Sequence, residues 1–527
     1  MHPTQYPGFL LPPNFTLRRL TDRLGKAVPL LEDEQQQIER LYLDTFDWRL
    51  HDGGVVLFEK RVGRDAALWL QDLAEEHTLT SVRCDRTPAW PADIPAGELQ
   101  QRVGKLAAMR ILLPLVRVRS RAHLLRVLNE DQKTVVRLRV EEVRCDAQGL
   151  DEPRALLPRV RLIPVRGYAE ESAAVARLLR EDLELPEAPR ALLEEALAAI
   201  GRHPGDYSSK LNVRLHGQRR ADVALRKICL HLLDTLERNV DGARRDLDPE
   251  FLHDLRVATR RTRSALTQVK EVLPMAVLED FKERFAWLGQ ETGPTRDLDV
   301  FLLEFPRYRD SLPAALRADL EPLHEFLQTH QRQEQKALRR RLDSPQFQRL
   351  LQDWRDYLES ELDAAPAAAR ALQPIQAVAG RRIWRMFRRV LKEGRAIADD
   401  SPHEDLHELR KSCKKLRYLI EFFQSLYPDD ELKPLLKALK RLLDNLGEFQ
   451  DLEVQSHQLQ AFAAGMQQEG KVPLGTLLAI GALVGDLLHR QERARAAFHD
   501  CFAAFDTGDN RAVYRRLFKP VSAETPA

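Results

Sequence analysis

Two stretches of this chain set a histidine and four cations in the same order. Phe251 to Pro274 reads FLHDLRVATRRTRSALTQVKEVLP, and Asp405 to Pro428 reads DLHELRKSCKKLRYLIEFFQSLYP. They align without a gap at an offset of 154 residues: His253 with His407, Arg256 with Arg410, Arg260 with Lys414, Arg261 with Lys415 and Arg263 with Arg417. On a helix, the histidine and the cations three, seven and ten positions on share one face. Each segment therefore carries a basic stripe headed by a histidine, with little acid on the stripe itself. Such a stripe repels itself unless an anion occupies it. Arginine offers forked donors that suit phosphate oxygens, and lysine adds compact charge. Two stripes facing each other would line a channel for an extended polyanion. Lys411 adds to the second, and the basic run Arg381 to Arg389 precedes it, with Arg382, Arg385 and Arg389 placed to widen the surface.

The histidines carry no catalytic expectation, since no nucleophile, paired carboxylate or metal-ligand set accompanies them. No catalytic residue and no metal ligand is assigned. Two roles stay open for the rings: a charged form favoured by a bound polyanion, or a hydrogen bond that fixes helix geometry.

The elements that must hold these residues differ along the chain. Ile38 to Arg61 alternates like a hairpin around Asp52-Gly53-Gly54, and Leu115 to Val143 reads as two or three strands with a turn at Asn129-Glu130-Asp131. Helical patterns follow at Glu170 to Arg180 and Ala191 to Ile200, then a breaker, His203-Pro204-Gly205-Asp206. After Leu215 amphipathic Leu-, Ala-, Arg- and Glu-rich segments dominate, punctuated by prolines. The expected architecture is α+β and multidomain. A mixed antiparallel β/α domain at 1–205 and a linker at 206–214 precede an all-α, two-fold pseudo-symmetric bundle at 215–519. Its repeats span about 215–365 and 366–519, and a disordered tail follows at 520–527. Weaker echoes support the repeat: Leu288-Gly289 leads into Arg296-Asp297-Leu298-Asp299, and Leu446-Gly447 into Asp451-Leu452-Glu453.

Bulk composition narrows the class without naming a partner. In 527 residues, 82 Lys plus Arg nearly cancel 80 Asp plus Glu, so charge distribution rather than net charge must indicate partners. Cys84, Cys145, Cys229, Cys413 and Cys501 lie far apart, which suits a reducing compartment. The opening MHPTQYPGFLLPPNF lacks the basic start and apolar core of a signal peptide. The apolar stretch from Leu474 to Val484 is too short for a membrane span and reads as a buried helix. A soluble cytoplasmic protein with no membrane contact is expected.

The paired segments HDLRVATRRTR and HELRKSCKKLR resemble the CHAD domain, a histidine-containing α-helical family whose two halves each carry an H-x-x-R-x-x-x-[RK]-[RK]-x-R helix. The resemblance covers about residues 215–515. It implies a two-fold helical bundle that binds inorganic polyphosphate, often on polyphosphate granules. It implies as ligands His253, Arg256, Arg260, Arg261 and Arg263, with His407, Arg410, Lys414, Lys415 and Arg417. The N-terminal part resembles the CYTH, or triphosphate-tunnel, family in Tyr42-Leu43-Asp44-Thr45, in Arg117, Arg119 and Arg121, and in Tyr207-Ser208-Ser209-Lys210. That family opens with E-x-E-x-K, whose carboxylates hold a divalent metal, whereas Gly8 to Pro13 has no acid. Glu141 and Glu142 point to opposite faces of any strand. A degenerate, non-enzymatic tunnel-like domain is expected, with no required cofactor and a divalent cation only if that domain is active. Two alternatives stand beside polyphosphate binding: a metal-dependent triphosphatase, and a nucleic-acid binder. The stripes are poor in the aromatics that stack bases, with Tyr418 just past the second.

Overall fold

Alternating apolar and polar residues build strands over the first part of the chain, and three- and four-residue apolar spacing builds helices over the rest. The computed structural model describes residues 8–13, 15–74, 77–147, 151–188, 191–470 and 472–520. The chain divides into two compact units after Ser208, inside the segment expected as a linker. Apart from Pro520, the expected tail lies outside the described residues.

The first unit is one antiparallel sheet with short helices. Its strands are β1 (Phe9–Leu10), β2 (Leu30–Glu32), β3 (Gln36–Asp44), β4 (Val55–Val62), β5 (Asp65–Asp72), β6 (Thr78–Arg83), β7 (Leu113–Leu128), β8 (Thr134–Asp146), β9 (Arg154–Ala155) and β10 (Arg159–Pro164). They run in the order β1-β10-β8-β7-β3-β4-β5-β6, with β2 beside β7 and β9 beside β8. Five helices accompany them: α1 (Leu17–Ala27), α2 (Arg49–Asp52), α3 (Glu98–Ala107), α4 (Ala169–Arg177) and α5 (Leu192–Ala199). The β7–β8 hairpin turns where the sequence places it, Asn129 Oδ1 accepting from Lys133 N at 2.9 Å. The β3–β4 connection is longer than the tight turn expected at Asp52-Gly53-Gly54. Asp44 accepts from the backbone N–H groups of Leu50 and His51, both at 2.9 Å, and folds that connection into α2.

The second unit is helical: α6 (Ala221–Arg245), α7 (Pro249–Gln268), α8 (Met275–Glu291), α9 (Gly293–Ser311), α10 (Glu321–Leu342), α11 (Pro345–Glu359), α12 (Ile375–Ala396), α13 (His403–Phe423), α14 (Asp429–Gln468), α15 (Leu474–Ala496), α16 (Phe498–Phe505) and α17 (Gly508–Phe518). The offset of 154 residues governs helix starts as well as motifs. It carries Ala221 to Ile375, Pro249 to His403 and Met275 to Asp429, each the first residue of its helix. The pair α8 and α9, broken at Thr292, corresponds to the single long α14. Helix α6 packs on α7 as α12 packs on α13, and α7 and α13 pack on each other. Asp248 caps α7 by accepting from Glu250 N at 2.9 Å, and Pro249 occupies the first helical position.

The apolar stretch at Leu474 to Val484 lies in α15 and is not wholly buried. Ala479, Ile480 and Leu483 face the core, while Leu474 is 73% and Leu478 60% exposed. Among the described residues, no helix is long and apolar enough to cross a membrane.

Gly242 in α6 allows a close approach between elements. A Cβ on Gly242 would meet the Phe251 ring at 2.2 Å, whereas one on Gly481 of α15 would meet nothing within 4 Å. Gly242→Ala should therefore destabilise the helical unit by about 1–3 kcal/mol through overpacking. Gly481→Ala should be neutral or stabilise it by about 0.5–1 kcal/mol through helix propensity. Urea melts of both variants check this, and equal effects would contradict the packing described.

Candidate functional site

Helix α7 ends near the start of α8, and α13 near the start of α14, so each stripe is walled by the helix that follows. Two neighbouring recesses result. The first, about 540 Å³, is lined by Lys210, His253, Arg260, Arg261, Arg410, Lys414 and Arg417, together with Asp254, Glu421, Asp444, Glu448 and Asp451. The second, about 670 Å³, is lined by Arg260, Arg263, Lys282, Lys411, Lys414 and Lys415, with only Glu279 and Glu283 as carboxylates. Arg260, Lys414 and Tyr418 line both, so they form the wall between them. The two stripes thus meet on one face, and its second recess has the larger excess of positive charge.

The individual side chains are held differently. Arg256 is half-buried and donates to Gly289 O and Thr292 Oγ1, both at 2.9 Å. Arg261 donates to Ser209 O at 2.9 Å and pairs with Glu421 at 3.2 Å, and Arg417 reaches the same carboxylate at 2.6 Å. Arg410 pairs with Asp451 at 2.8 Å, and Lys411 with Glu408 at 2.7 Å. Arg260 and Arg263 are exposed. His253 Nδ1 lies 3.1 Å from the Arg296 guanidinium, and His407 Nδ1 contacts Gln450 Oε1.

Three sequence expectations are corrected by this geometry. Arg382 does not reach the surface; it is buried and donates to Gln268 O at 2.5 Å, closing the end of α7. Arg385 is exposed and Arg389 pairs with Glu393 at 2.6 Å, but the residues lining the two recesses include none from α12. The stripes are also less bare than the sequence suggests, because α14 brings Asp444, Glu448 and Asp451 against the first recess. Lys210, which the resemblance to the tunnel family took in, belongs to the helical unit and lines that same recess. Lys282 on α8 was not foreseen, since residue 436, its counterpart at the repeat offset, is a leucine. Arg296 and Gln450 were likewise missed as partners of the histidines, although the same offset relates them.

Crowded cations leave a titration signature. Burial, then the charges of Arg410 and Arg260, push the Lys414 ammonium down to about 8. The unfolded chain keeps this proton to about 10.5 while the folded chain releases it near 8, so this group favours folding more as pH rises between those values. Lysine side-chain NMR of the free protein should show Lys414 titrating near pH 8. A midpoint above 10 would contradict the crowding.

The first unit has its own buried polar cluster. Arg40, in β3, donates to Glu141 at 2.8 Å and to Ser120 Oγ at 3.0 Å, and Arg139 lies 2.6 Å from the same carboxylate. Burial pushes the Glu141 carboxyl up, but Arg40 and Arg139 together hold it below its ordinary value. Glu142 points the other way and is exposed. Arg117 and Arg119 are matched by Glu39 and Asp146. A carboxylate already engaged by two guanidiniums is poorly suited to a divalent cation. Among the described residues, no group of three or more His, Cys, Asp or Glu is placed to hold one. Glu141→Leu should strand buried positive charge and cost about 3–5 kcal/mol in denaturant unfolding. A loss below about 1 kcal/mol would mean that the cluster is solvated.

Proteins from two strains of Mycobacterium tuberculosis, CDC 1551 / Oshkosh and ATCC 25618 / H37Rv, are 28% identical to this chain over 237 residues, and neither has a characterised function. The match covers 43% of this chain and 44% of each relative, so less than half of the relatives' own length is spanned. The crystal structure of the CHAD domain from the plant Ricinus communis is 26% identical and covers 59% of this chain and 96% of its own, with a TM-score of 0.46. A Hippeastrum protein described as having a dominant triphosphatase activity is 12% identical and covers 38% of this chain and 98% of its own, with a TM-score of 0.28. The family model of the CHAD domain matches residues 227–460, a span that contains both histidine-headed helices. This chain therefore carries a CHAD domain at residues 227–460.

Proposed function

We propose that the helical unit binds inorganic polyphosphate along the face shared by α7 and α13, and that the protein acts as a binding module on polyphosphate granules rather than as an enzyme. The observation that carries this reading is the common wall of Arg260 and Lys414, which makes one continuous basic surface out of two repeated stripes. An extended chain of phosphates suits two adjoining recesses better than a compact anion does. Arg260, Arg263, Lys411, Lys414 and Lys415 are the ligands proposed for the strongly basic recess, with Lys282 added to them. His253, Arg261, Arg410 and Arg417, with Lys210, are proposed for the first. Arg256 and His407 act from behind, through the contacts that set the helix positions.

Titration of the whole chain with long-chain polyphosphate, magnesium present and phosphate release followed, tests the reading. Binding without release is expected. It should weaken about a thousandfold between roughly 50 and 200 mM salt if six or more phosphates are neutralised. The double variant Arg260→Glu, Lys414→Glu should keep its helical circular dichroism and lose at least about a hundredfold in affinity. Full affinity in that folded variant would sink the assignment. Phosphate release would favour a triphosphatase instead, and preference for single-stranded RNA in competition a nucleic-acid binder. At pH 8 binding should also take up as much as about half a proton, because anionic oxygens favour charged Lys414. Calorimetry in two buffers of different ionisation heat reads this uptake, which Lys414→Arg should abolish.

A further inference from the structure

The two histidines are related by the repeat, yet their partners force them into opposite tautomers. Arginine has donors and no acceptor, so the 3.1 Å contact of Arg296 with His253 Nδ1 requires that nitrogen to accept. The proton of the neutral ring must then sit on Nε2. In the second repeat Gln450 takes the place of Arg296. Its amide nitrogen donates to Glu453 Oε2 at 3.2 Å, and a carboxylate only accepts, so its Oε1 is the atom turned to His407. His407 Nδ1 must donate there, which leaves Nε2 of the neutral ring without a proton.

We infer that Arg296 is a positioning residue that fixes His253 as an uncharged Nε2–H donor toward an acceptor-only anion in the first recess, whereas Gln450 leaves His407 able to donate from Nε2 only after taking up a proton. This rests on the polyphosphate reading for the anion but not for the tautomers. The recess geometry agrees, for His253 lines it while His407 lines neither recess. The charged groups acting on His253 are Arg296 from α9 and Glu250, Asp254 and Arg260 from its own helix. Burial, then Arg296, holds the imidazole below the usual histidine range, so it stays neutral where a free histidine would begin to charge. The site thus keeps one donor that does not depend on pH.

The test begins on the free, full-length protein, with nitrogen-detected NMR of the histidine rings. The expected result is His253 protonated on Nε2 and His407 on Nδ1. His253 found on Nδ1 would overturn the inference whether or not polyphosphate binds. Arg296→Gln puts the glutamine of the second repeat beside His253, with Asp299 at the position of Glu453, and should move the His253 proton to Nδ1. Its affinity for long-chain polyphosphate, relative to the unaltered protein, should fall about tenfold further at pH 8 than at pH 5.5, where the ring is charged in the variant. The lost arginine charge acts at both pH values, so only the difference between them reports the ring. Arg296→Lys, which still only donates, should restore the Nε2 tautomer and the flat ratio. An unchanged tautomer in Arg296→Gln, or a ratio that does not vary with pH, would overturn the role of Arg296. If the tautomers are as stated and the unaltered protein fails to bind polyphosphate, the polyphosphate reading falls and the positioning role stands.

Discussion

Packing α7 against α13 forces two stripes of like charge onto one face, and much of the helical unit can be understood as a response to that repulsion. Several of the cations are matched: Arg410 by Asp451, Arg261 and Arg417 by the shared Glu421. Where solvent reaches them, Arg260 and Arg263 stay exposed. Lys414, half-buried beside Arg410 and Arg260, gives up part of its hold on a proton. Like charges at such separations are tolerable near water because the effective dielectric is high, and an arriving anion converts their repulsion into binding energy. The face is therefore mixed, with carboxylates offsetting part of its charge in the first recess and an excess of cations left in the second.

The first unit handles charge differently at its buried centre, where Arg40 and Arg139 both pair with the single carboxylate of Glu141.

The repeat was the most legible feature of the sequence, because identical spacing of His, Arg and Lys survives whatever the surrounding packing does. The same offset reaches helix starts and the partners of the histidines, which the motif alone did not reveal. What the sequence obscured was mostly tertiary. Helical period says which residues share a face but not which neighbour covers it, so the acids that α14 brings to the first recess were not legible. Arg382 is instructive in the other direction. It falls three positions after buried Ala379 and four before buried Met386, on the apolar side of its own helix, and that spacing already placed it inward. In the sheet, alternation separated Glu141 from Glu142 correctly, while the cap that Asp44 makes across a connection could not be read from the Asp52-Gly53-Gly54 signal.

The central claim is that both stripes form one polyanion-binding face, and lysine footprinting tests it most directly. The protein would be acetylated with and without long-chain polyphosphate and protection read residue by residue by mass spectrometry. Protection should concentrate on Lys282, Lys411, Lys414 and Lys415 and leave Lys433 and Lys437, which line neither recess, reactive. Uniform protection, or protection centred on Lys433 and Lys437, would contradict the account.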